Sequence, residues 1–132
     1  MKLAIFDFDN VLSLNETSPA FRSTYERRLL PWLASLKDRG IALCIASSNK
    51  NVKRECQKMN INDLFDEIYS SDLCGKTAML KRIIKAYPGI SKDQMTFYDD
   101  DYDNILDAEK LGIRASCVGR KTGLSWLFPE RI

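Results

Sequence analysis

Residues 3–9 read Leu3-Ala4-Ile5-Phe6-Asp7-Phe8-Asp9, an apolar run that ends in two acids. A short apolar run bounded by polar residues predicts a strand that is buried on both faces. A similar run, Met95-Thr96-Phe97-Tyr98, leads into Asp99-Asp100-Asp101-Tyr102-Asp103. Two such strands, parallel and side by side, would bring at least four carboxylates to one edge of a sheet. Unit charges about 4 Å apart repel by roughly 4 kcal/mol at an effective dielectric constant near 20, so the cluster predicts a bound cation, with Mg²⁺ as the first choice.

The composition describes an ordinary globular protein. The chain has 132 residues, 45% of them hydrophobic, which predicts one domain over residues 1–132. A net charge of +2 does not indicate nucleic-acid binding. No apolar run approaches the ~20 residues of a membrane span, and the first strand begins almost at once, which leaves no room for a signal peptide. The four cysteines form no Cys-x-x-Cys pair, so we expect reduced thiols in a cytoplasmic monomer.

Two absences exclude several kinds of chemistry. The chain has no histidine, which excludes Ser-His-Asp triads, histidine general bases and histidine-ligated zinc. No cysteine is followed six positions later by arginine, so a cysteine-based phosphatase loop is also excluded. The remaining chemistry is that of carboxylates, lysine, hydroxyls and a metal ion.

Strand-like runs alternate with helix-like stretches along the chain. This pattern predicts an α/β protein, a three-layer α/β/α sandwich around a mainly parallel, five-stranded, Rossmann-like sheet. Ligands of such folds bind beyond the carboxyl ends of the strands. We expect strands near residues 2–6, 41–46, 68–69, 95–98 and 115–118, and helices that begin at Pro31, near residue 50, at Lys76 and after the acid cluster.

Asp7 and Asp9 are the candidate catalytic residues. A carboxylate can accept a phosphoryl group, so Asp7 is the candidate nucleophile. Asp9 could protonate the leaving oxygen and later deprotonate water. The other reading is a strand that simply ends in polar turn residues, but two acids around an aromatic residue are a costly end for a buried strand.

Ser47 follows the second predicted strand. Its hydroxyl could donate to a phosphate oxygen, helped by the helix N-terminus expected there, or it could simply cap that helix. Ser48 and Asn49 are alternative donors or caps.

Lys76 lies in Gly75-Lys76-Thr77, at a predicted helix start. A nucleotide-binding P-loop needs glycine five positions before Gly75, where the chain has Ser70. A lysine at a helix N-terminus could be merely solvated, but the helix dipole disfavours a cation there. Lys76 is better explained if it points at the acids and at a bound phosphate.

The second acid group separates into two parts. Asp101 and Asp103 suit the N-terminus of the following helix, where negative charge is favourable. Asp100 is the first choice for a metal ligand, and Asp99 is either a ligand or a hydrogen-bond partner of Lys76. Asn104 would orient one of these acids.

The order of these motifs resembles the haloacid dehalogenase superfamily of phosphohydrolases over nearly the whole chain. The stretch from Gly75-Lys76 to Cys117 is similar to its small magnesium-dependent phosphatases, which act on phosphotyrosine or on sugar-phosphate adducts. The resemblance implies Mg²⁺ held by Asp7, the backbone carbonyl of Asp9 and Asp100, with Ser47 and Lys76 binding the phosphoryl group. The chain departs from the common pattern at three positions, which are Tyr98, Asp99 and Asn104.

The stretch between Asp9 and the second strand is too short for the cap domain that many members of this superfamily insert. We therefore expect a capless protein with an open site. An open site favours bulky substrates such as a phosphoprotein, a nucleic-acid end or a sugar-phosphate conjugate. The loop at residues 11–22, with Leu12, Leu14 and Phe21, is the expected contact surface.

Two other functions are compatible with clustered acids, a hydroxyl and a lysine. A signalling receiver is phosphorylated on aspartate without turnover, but it carries its acid pair after the first strand and its phosphoacceptor after a middle strand. The chain has the opposite order. The second alternative is an inactive binding module that keeps the fold.

Overall fold

A computed structural model describes residues 1–71 and 73–129 of the chain. In this part of the chain, strands and helices alternate as the sequence predicts, with short 3₁₀ turns at Asn62–Leu64, Lys92–Gln94 and Ser125–Leu127. The strands are β1 (Leu3–Phe6), β2 (Ala42–Ser47), β3 (Glu67–Ser70), β4 (Met95–Asp99) and β5 (Arg114–Cys117). The helices are α1 (Pro19–Asp38), α2 (Val52–Lys58), α3 (Lys76–Ala86) and α4 (Tyr102–Lys110).

The strands form one five-stranded sheet in the order β3-β2-β1-β4-β5, and every neighbouring pair is parallel. Helices α1 and α2 cover one face of the sheet, while α3 and α4 cover the other. The predicted three-layer α/β/α sandwich is therefore confirmed. Because all strands run in the same direction, their carboxyl ends meet at one edge.

The central strand β1 contributes to both cores. Ala4 and Phe6 pack on the α1 and α2 side, and Leu3 and Ile5 pack on the α3 and α4 side. This alternation has the period of two that every strand imposes on its side chains. The same alternation decides which face of the sheet the residues directly after β1 point to.

In the described residues, each connection between successive strands contains one α-helix with loops and short turns and no inserted domain, so the prediction of a capless domain is confirmed. Within residues 1–71 and 73–129, no helix combines the length and the apolar character that crossing a membrane requires.

The prediction that a helix begins at Pro31 is wrong. Helix α1 begins at Pro19, and the Ser18 hydroxyl caps it by accepting a hydrogen bond from the Phe21 N–H. Pro31 lies in the helix interior, where proline removes a backbone hydrogen bond. The helix continues because its buried residues form one apolar stripe on both sides of the proline, and packing of such a stripe outweighs local propensity. The stripe consists of Tyr25, Leu29, Trp32, Leu33 and Leu36.

The segment after β5 returns across the sheet edge to α1. The Tyr25 hydroxyl donates to the Val11 carbonyl and accepts from the Leu124 N–H. Gly123 has a φ of +53°, and a Cβ added there would lie 2.5 Å from the Tyr25 hydroxyl oxygen. A buried tyrosine thus joins the loop after β1 to the C-terminal segment, and glycine is needed where they meet.

We predict that Gly123→Ala destabilises the protein more than Gly40→Ala. Gly40 also has a positive φ, +78°, but nothing lies within 4 Å of its added Cβ. Gly40→Ala should therefore cost only the left-handed backbone penalty of about 1–2 kcal/mol, whereas Gly123→Ala should add an overpacking cost of about 1–3 kcal/mol. Urea unfolding of both variants measures the difference. Equal losses would contradict the close packing against Tyr25.

Candidate active site

Asp7 and Asp99 lie beside each other at the carboxyl ends of β1 and β4. The Asp7 N–H donates to the Tyr98 carbonyl over 2.9 Å, which extends the β1–β4 pairing to Asp7. The alternation that buries Leu3 and Ile5 against α3 and α4 also turns Asp7 to that side. The same alternation in β4 turns Asp99 to the side of α3 and α4. Both carboxylates are buried.

Lys76 is the first residue of α3, and its side chain is buried between these two acids. Its Nζ atom lies 3.0 Å from Asp7 Oδ1 and 3.4 Å from Asp99 Oδ2. Met79, Leu80 and Ile83 anchor α3 in the core and so hold the helix start against the strand ends. Two carboxylates thus compensate for a cation at a helix N-terminus.

Asp99 has hydrogen-bond partners at both carboxylate oxygens. Oδ1 accepts from the Asp101 N–H over 2.9 Å, and Oδ2 accepts from the Asn104 side-chain amide over 3.1 Å in addition to its contact with Lys76. Asp99 therefore contacts Lys76, and its role as a metal ligand stays a prediction. Asn104 lies where it can orient this acid.

Asp100 contacts two side chains other than Lys76. Its Oδ2 atom lies 3.2 Å from Arg120 Nε and 3.4 Å from the Asn10 side-chain nitrogen. Asn10 has a φ of +63°, which asparagine tolerates better than most residues, and this turn brings it back to Asp100.

The acids present fit a hard divalent cation. Asp7, Asp99 and Asp100 each offer a carboxylate oxygen, and these oxygens lie within 4.8 Å of one another. Asn10 Oδ1 is buried and has no hydrogen-bond partner among the described residues, so the cluster also contains an unsatisfied oxygen acceptor. An all-oxygen donor set of this kind is typical of Mg²⁺ sites.

Asp9 contacts one residue after β2 and one residue of its own loop. Asp9 Oδ1 is 3.4 Å from the side-chain nitrogens of both Asn49 and Asn15. Ser47 is buried at the end of β2, and its hydroxyl accepts from the Asn49 N–H over 3.0 Å. Ser48 is exposed. Asn49, rather than Ser48, is therefore the neighbour of Asp9.

Two expectations about loops are wrong. Helix α2 begins at Val52 with Asn51 at its N-cap, so no helix N-terminus directly follows Ser47. Leu12 and Leu14 are fully buried and cannot form a contact surface, whereas Phe21 is exposed. Both predictions used only nearby residues. The start of a short helix and the burial of apolar loop residues depend instead on tertiary packing.

Sequence reasoning missed the contacts of Asn10, Asn15 and Arg120. Asn10 and Asn15 follow Asp9 in the loop after β1, and Arg120 follows β5. The rule that ligand-binding residues lie beyond the carboxyl ends of strands could have indicated all three. Their partners could not be inferred, because each contact depends on the path of a loop.

Burial and neighbouring charges shift the pKa values of the central groups. Burial raises the pKa of Asp7 to about 7, although Lys76 opposes the shift, and the adjacent Asp99 adds to it. Burial also raises the pKa of Asp99. For Lys76, burial lowers the pKa, but Asp7 and Asp99 together more than offset this, so its pKa lies above the usual range. Lys76 thus stays charged, whereas Asp7 becomes ionised only near neutral pH unless a further cation is bound.

Residues 24–118 match the family model of the haloacid dehalogenase-like hydrolases, which is most of the chain. The chain belongs to this family. The matched region includes Ser47, Lys76, Asp99 and Asp100, while Asp7 and Asp9 precede it. No curated protein sequence matches the chain.

Solved structures share the fold at low sequence identity. A haloacid dehalogenase family enzyme from Bacteroides thetaiotaomicron, in complex with magnesium and inorganic phosphate, is 16% identical with a TM-score of 0.71 over 98% of this chain and 100% of that one. A haloacid dehalogenase-like family hydrolase from Streptococcus pneumoniae is 14% identical with a TM-score of 0.70 over 93% and 87%. A β-phosphoglucomutase from Pyrococcus is 14% identical with a TM-score of 0.67 over 92% and 88%. At these identities the likeness shows the fold alone.

We predict that the stability of the metal-free protein falls as the pH rises from about 4 to about 7. The pKa of Asp7 is about 7 in the folded state and 3.8 when unperturbed, so between these values the folded state binds more protons than the unfolded state. The free energy of unfolding then decreases with rising pH. Urea unfolding across this pH range, with a chelator present, should show a smaller decrease for Asp7→Asn than for the wild type.

Asp38→Asn is the matched control, because Asp38 is exposed at the end of α1. It should keep the wild-type pH dependence. If Asp7→Asn kept it as well, the raised pKa of Asp7 would be refuted.

Proposed function

We propose that this hydrolase-family protein is a Mg²⁺-dependent phosphatase that cleaves phosphomonoesters through an aspartyl-phosphate intermediate. The observation that carries the proposal is the position of Asp7. It is a buried carboxylate at the sheet edge, 3.0 Å from Lys76 and close to two other acids that could hold a metal ion. A carboxylate so placed can act as a nucleophile towards a phosphoryl group.

The proposed reaction has two steps. An Asp7 oxygen attacks phosphorus and the bond to the leaving oxygen breaks, while Asp9 donates a proton to that oxygen. Asp9 then removes a proton from water, which attacks phosphorus and releases inorganic phosphate from Asp7. Positioned proton transfer of this kind contributes about 10²–10⁴-fold to a rate. The side-chain amides of Asn15 and Asn49 next to Asp9 would hold its carboxylate in place.

Lys76, two hydrogen-bond donors and Mg²⁺ would act on different parts of the reaction. Lys76 would neutralise charge on the phosphoryl oxygens, with Ser47 and Asn49 as hydrogen-bond donors to them. Mg²⁺ held by Asp7, the Asp9 carbonyl and Asp100 would supply positive charge that favours ionised Asp7 and polarises the phosphoryl group.

A cavity beside α1 supports our proposal for the substrate class. A cavity of about 390 Å³ lies between α1 and the C-terminal segment, and its walls combine aromatic rings, hydroxyls and one guanidinium. They consist of Phe21, Thr24, Tyr25, Arg28, Thr122, Ser125, Trp126 and Phe128. Tyr25 also binds the Val11 carbonyl, two residues after Asp9, so the cavity adjoins the catalytic loop. Aromatic and arginine side chains are the residues enriched where proteins bind proteins. We therefore favour a phosphoprotein, with phosphotyrosine as the first candidate, over a nucleic-acid end or a sugar-phosphate conjugate.

The sheet order separates this proposal from the receiver alternative. Signalling receivers have the flavodoxin-like order 2-1-3-4-5, whereas this sheet has the order 3-2-1-4-5. The nucleophile candidate also follows β1, the first strand along the chain, whereas a receiver carries its phosphoacceptor after a middle strand. The remaining alternative, an inactive binding module, predicts no phosphate release from phosphomonoesters, so an activity measurement tests it.

Asp7→Asn should abolish Mg²⁺-dependent phosphate release, because an amide cannot replace the carboxylate nucleophile. A fall in turnover of about 10³-fold or more is expected with a chromogenic phosphomonoester. Asp38→Asn, which makes the same change on an exposed position, should leave turnover unchanged. Substantial turnover by Asp7→Asn would refute its role as the nucleophile.

Mg²⁺ should raise the melting temperature, because an ion that binds only the folded state stabilises it by mass action. At a hundredfold excess over the dissociation constant, a rise of about 5 °C or more is expected. Asp100→Asn should reduce this rise, and Asp63→Asn, at an exposed position outside the cluster, should not. An unchanged melting temperature across Mg²⁺ concentrations would count against the metal site.

Trp126→Ala should raise KM for a phosphotyrosine peptide several-fold while leaving kcat/KM for a small aryl phosphate unchanged. Trp126 lines the cavity and is 60% exposed, so its removal should affect docking rather than folding. Leu106→Ala is the control, because Leu106 is an exposed apolar residue on α4. Equal effects on both substrates would exclude the cavity as a docking site.

A further inference from the structure

The acid cluster has two cations beside it, and they differ in burial. Lys76 is buried and contacts Asp7 and Asp99. Asp100, the remaining acid of the cluster, is paired instead with Arg120, whose Nε lies 3.2 Å from Asp100 Oδ2. The side chain of Asp100 is 10% exposed and that of Arg120 is 60% exposed. The guanidinium therefore lies at the mouth of the site, on the solvent side of Asp100.

The backbone that carries Arg120 is held in a closed turn. The N–H groups of Thr122 and Gly123 both donate to the Gly119 carbonyl, over 3.3 and 2.7 Å. Immediately before the turn, the Val118 N–H donates to the Asp99 carbonyl over 2.9 Å, and after it the Leu124 N–H donates to Tyr25. Arg120 is thus presented to Asp100 by a hydrogen-bonded turn, while its own side chain is mostly exposed.

We propose that Arg120 and Mg²⁺ compete for Asp100. In the metal-free protein, Arg120 occupies the Asp100 carboxylate and offsets the repulsion within the cluster. When the divalent ion binds, Arg120 leaves, because two cations at one carboxylate oxygen repel each other. The proposal rests on the Mg²⁺ site of the proposed function, and it adds a residue that sets the affinity of that site.

The weakness of the contact makes the exchange feasible. Ion pairs with an exposed partner contribute little to stability, because water and salt screen them. Arg120 should therefore lower Mg²⁺ affinity modestly without preventing binding. By linkage, the factor by which Mg²⁺ weakens the Arg120 contact equals the factor by which Arg120 weakens Mg²⁺ binding.

The test compares wild type, Arg120→Gln and Lys121→Gln by calorimetric titration with Mg²⁺. Lys121 is the adjacent exposed residue, so its variant makes the same charge change without altering the contact with Asp100. Arg120→Gln should lower the Mg²⁺ dissociation constant about two- to fivefold, the range set by ion pairs of this kind. Lys121→Gln should change it less. Equal dissociation constants for the two variants would overturn the competition.

Thermal unfolding and NMR provide readouts that do not depend on activity. In chelator, Arg120→Gln should melt below Lys121→Gln, and saturating Mg²⁺ should close the gap. In the wild type, the Arg120 Nε–H signal, assigned by its loss in Arg120→Gln, should shift when Mg²⁺ is added. A signal that is unchanged at Mg²⁺ saturation would overturn the proposal, whereas a wild type that binds no Mg²⁺ would overturn the proposed function together with it.

Discussion

The buried contact of Lys76 with Asp7 and Asp99 is the constraint on which the site depends. Removing a charged group from water costs several kcal/mol, and the loss is recovered only when opposite charges and hydrogen bonds surround it. Each of these three side chains would therefore be costly in its position without the others. The contact also requires that β1, β4 and the start of α3 converge at one point, so it ties the candidate catalytic residues to the arrangement of the whole sheet.

The charges at this edge do not balance among buried groups alone. The buried cation Lys76 contacts Asp7 and Asp99 but not Asp100, and burial keeps the pKa of Asp7 near 7 even with Lys76 in contact. The proposed nucleophile, Asp7, would gain from any further positive charge that favours its ionised form. A metal ion bound by the carboxylate oxygens would offset this excess of negative charge, and the exposed guanidinium of Arg120 already offsets part of it. Electrostatics thus connects the fold to the proposed phosphoryl transfer.

Much of the fold and of the site could be predicted because both depend on local patterns. Apolar runs ending in polar residues identified β1 and β4, and the dipole argument singled out Lys76. The start of a helix at Pro31 was predicted wrongly because the proline rule is local, whereas a buried stripe on both sides of Pro31 decides that the helix continues. Arg120 and Asn15 were missed because their contacts depend on how loops fold across the sheet edge.

The sequence by itself determined that acids, a hydroxyl and a lysine would meet at the carboxyl ends of parallel strands. The physical reason is that both patterns are set by residues close together in the chain. The alternation of strands with helices predicts parallel strands, and side chains along one strand point to its two faces in turn. Only the tertiary structure decided that Asp99 faces Lys76 and Asn104 while Asp100 faces Arg120. These pairings depend on the strand order β3-β2-β1-β4-β5, on the register of β1 with β4 and on the return of the C-terminal segment to α1. Such contacts join residues far apart in the chain, and no local pattern encodes them.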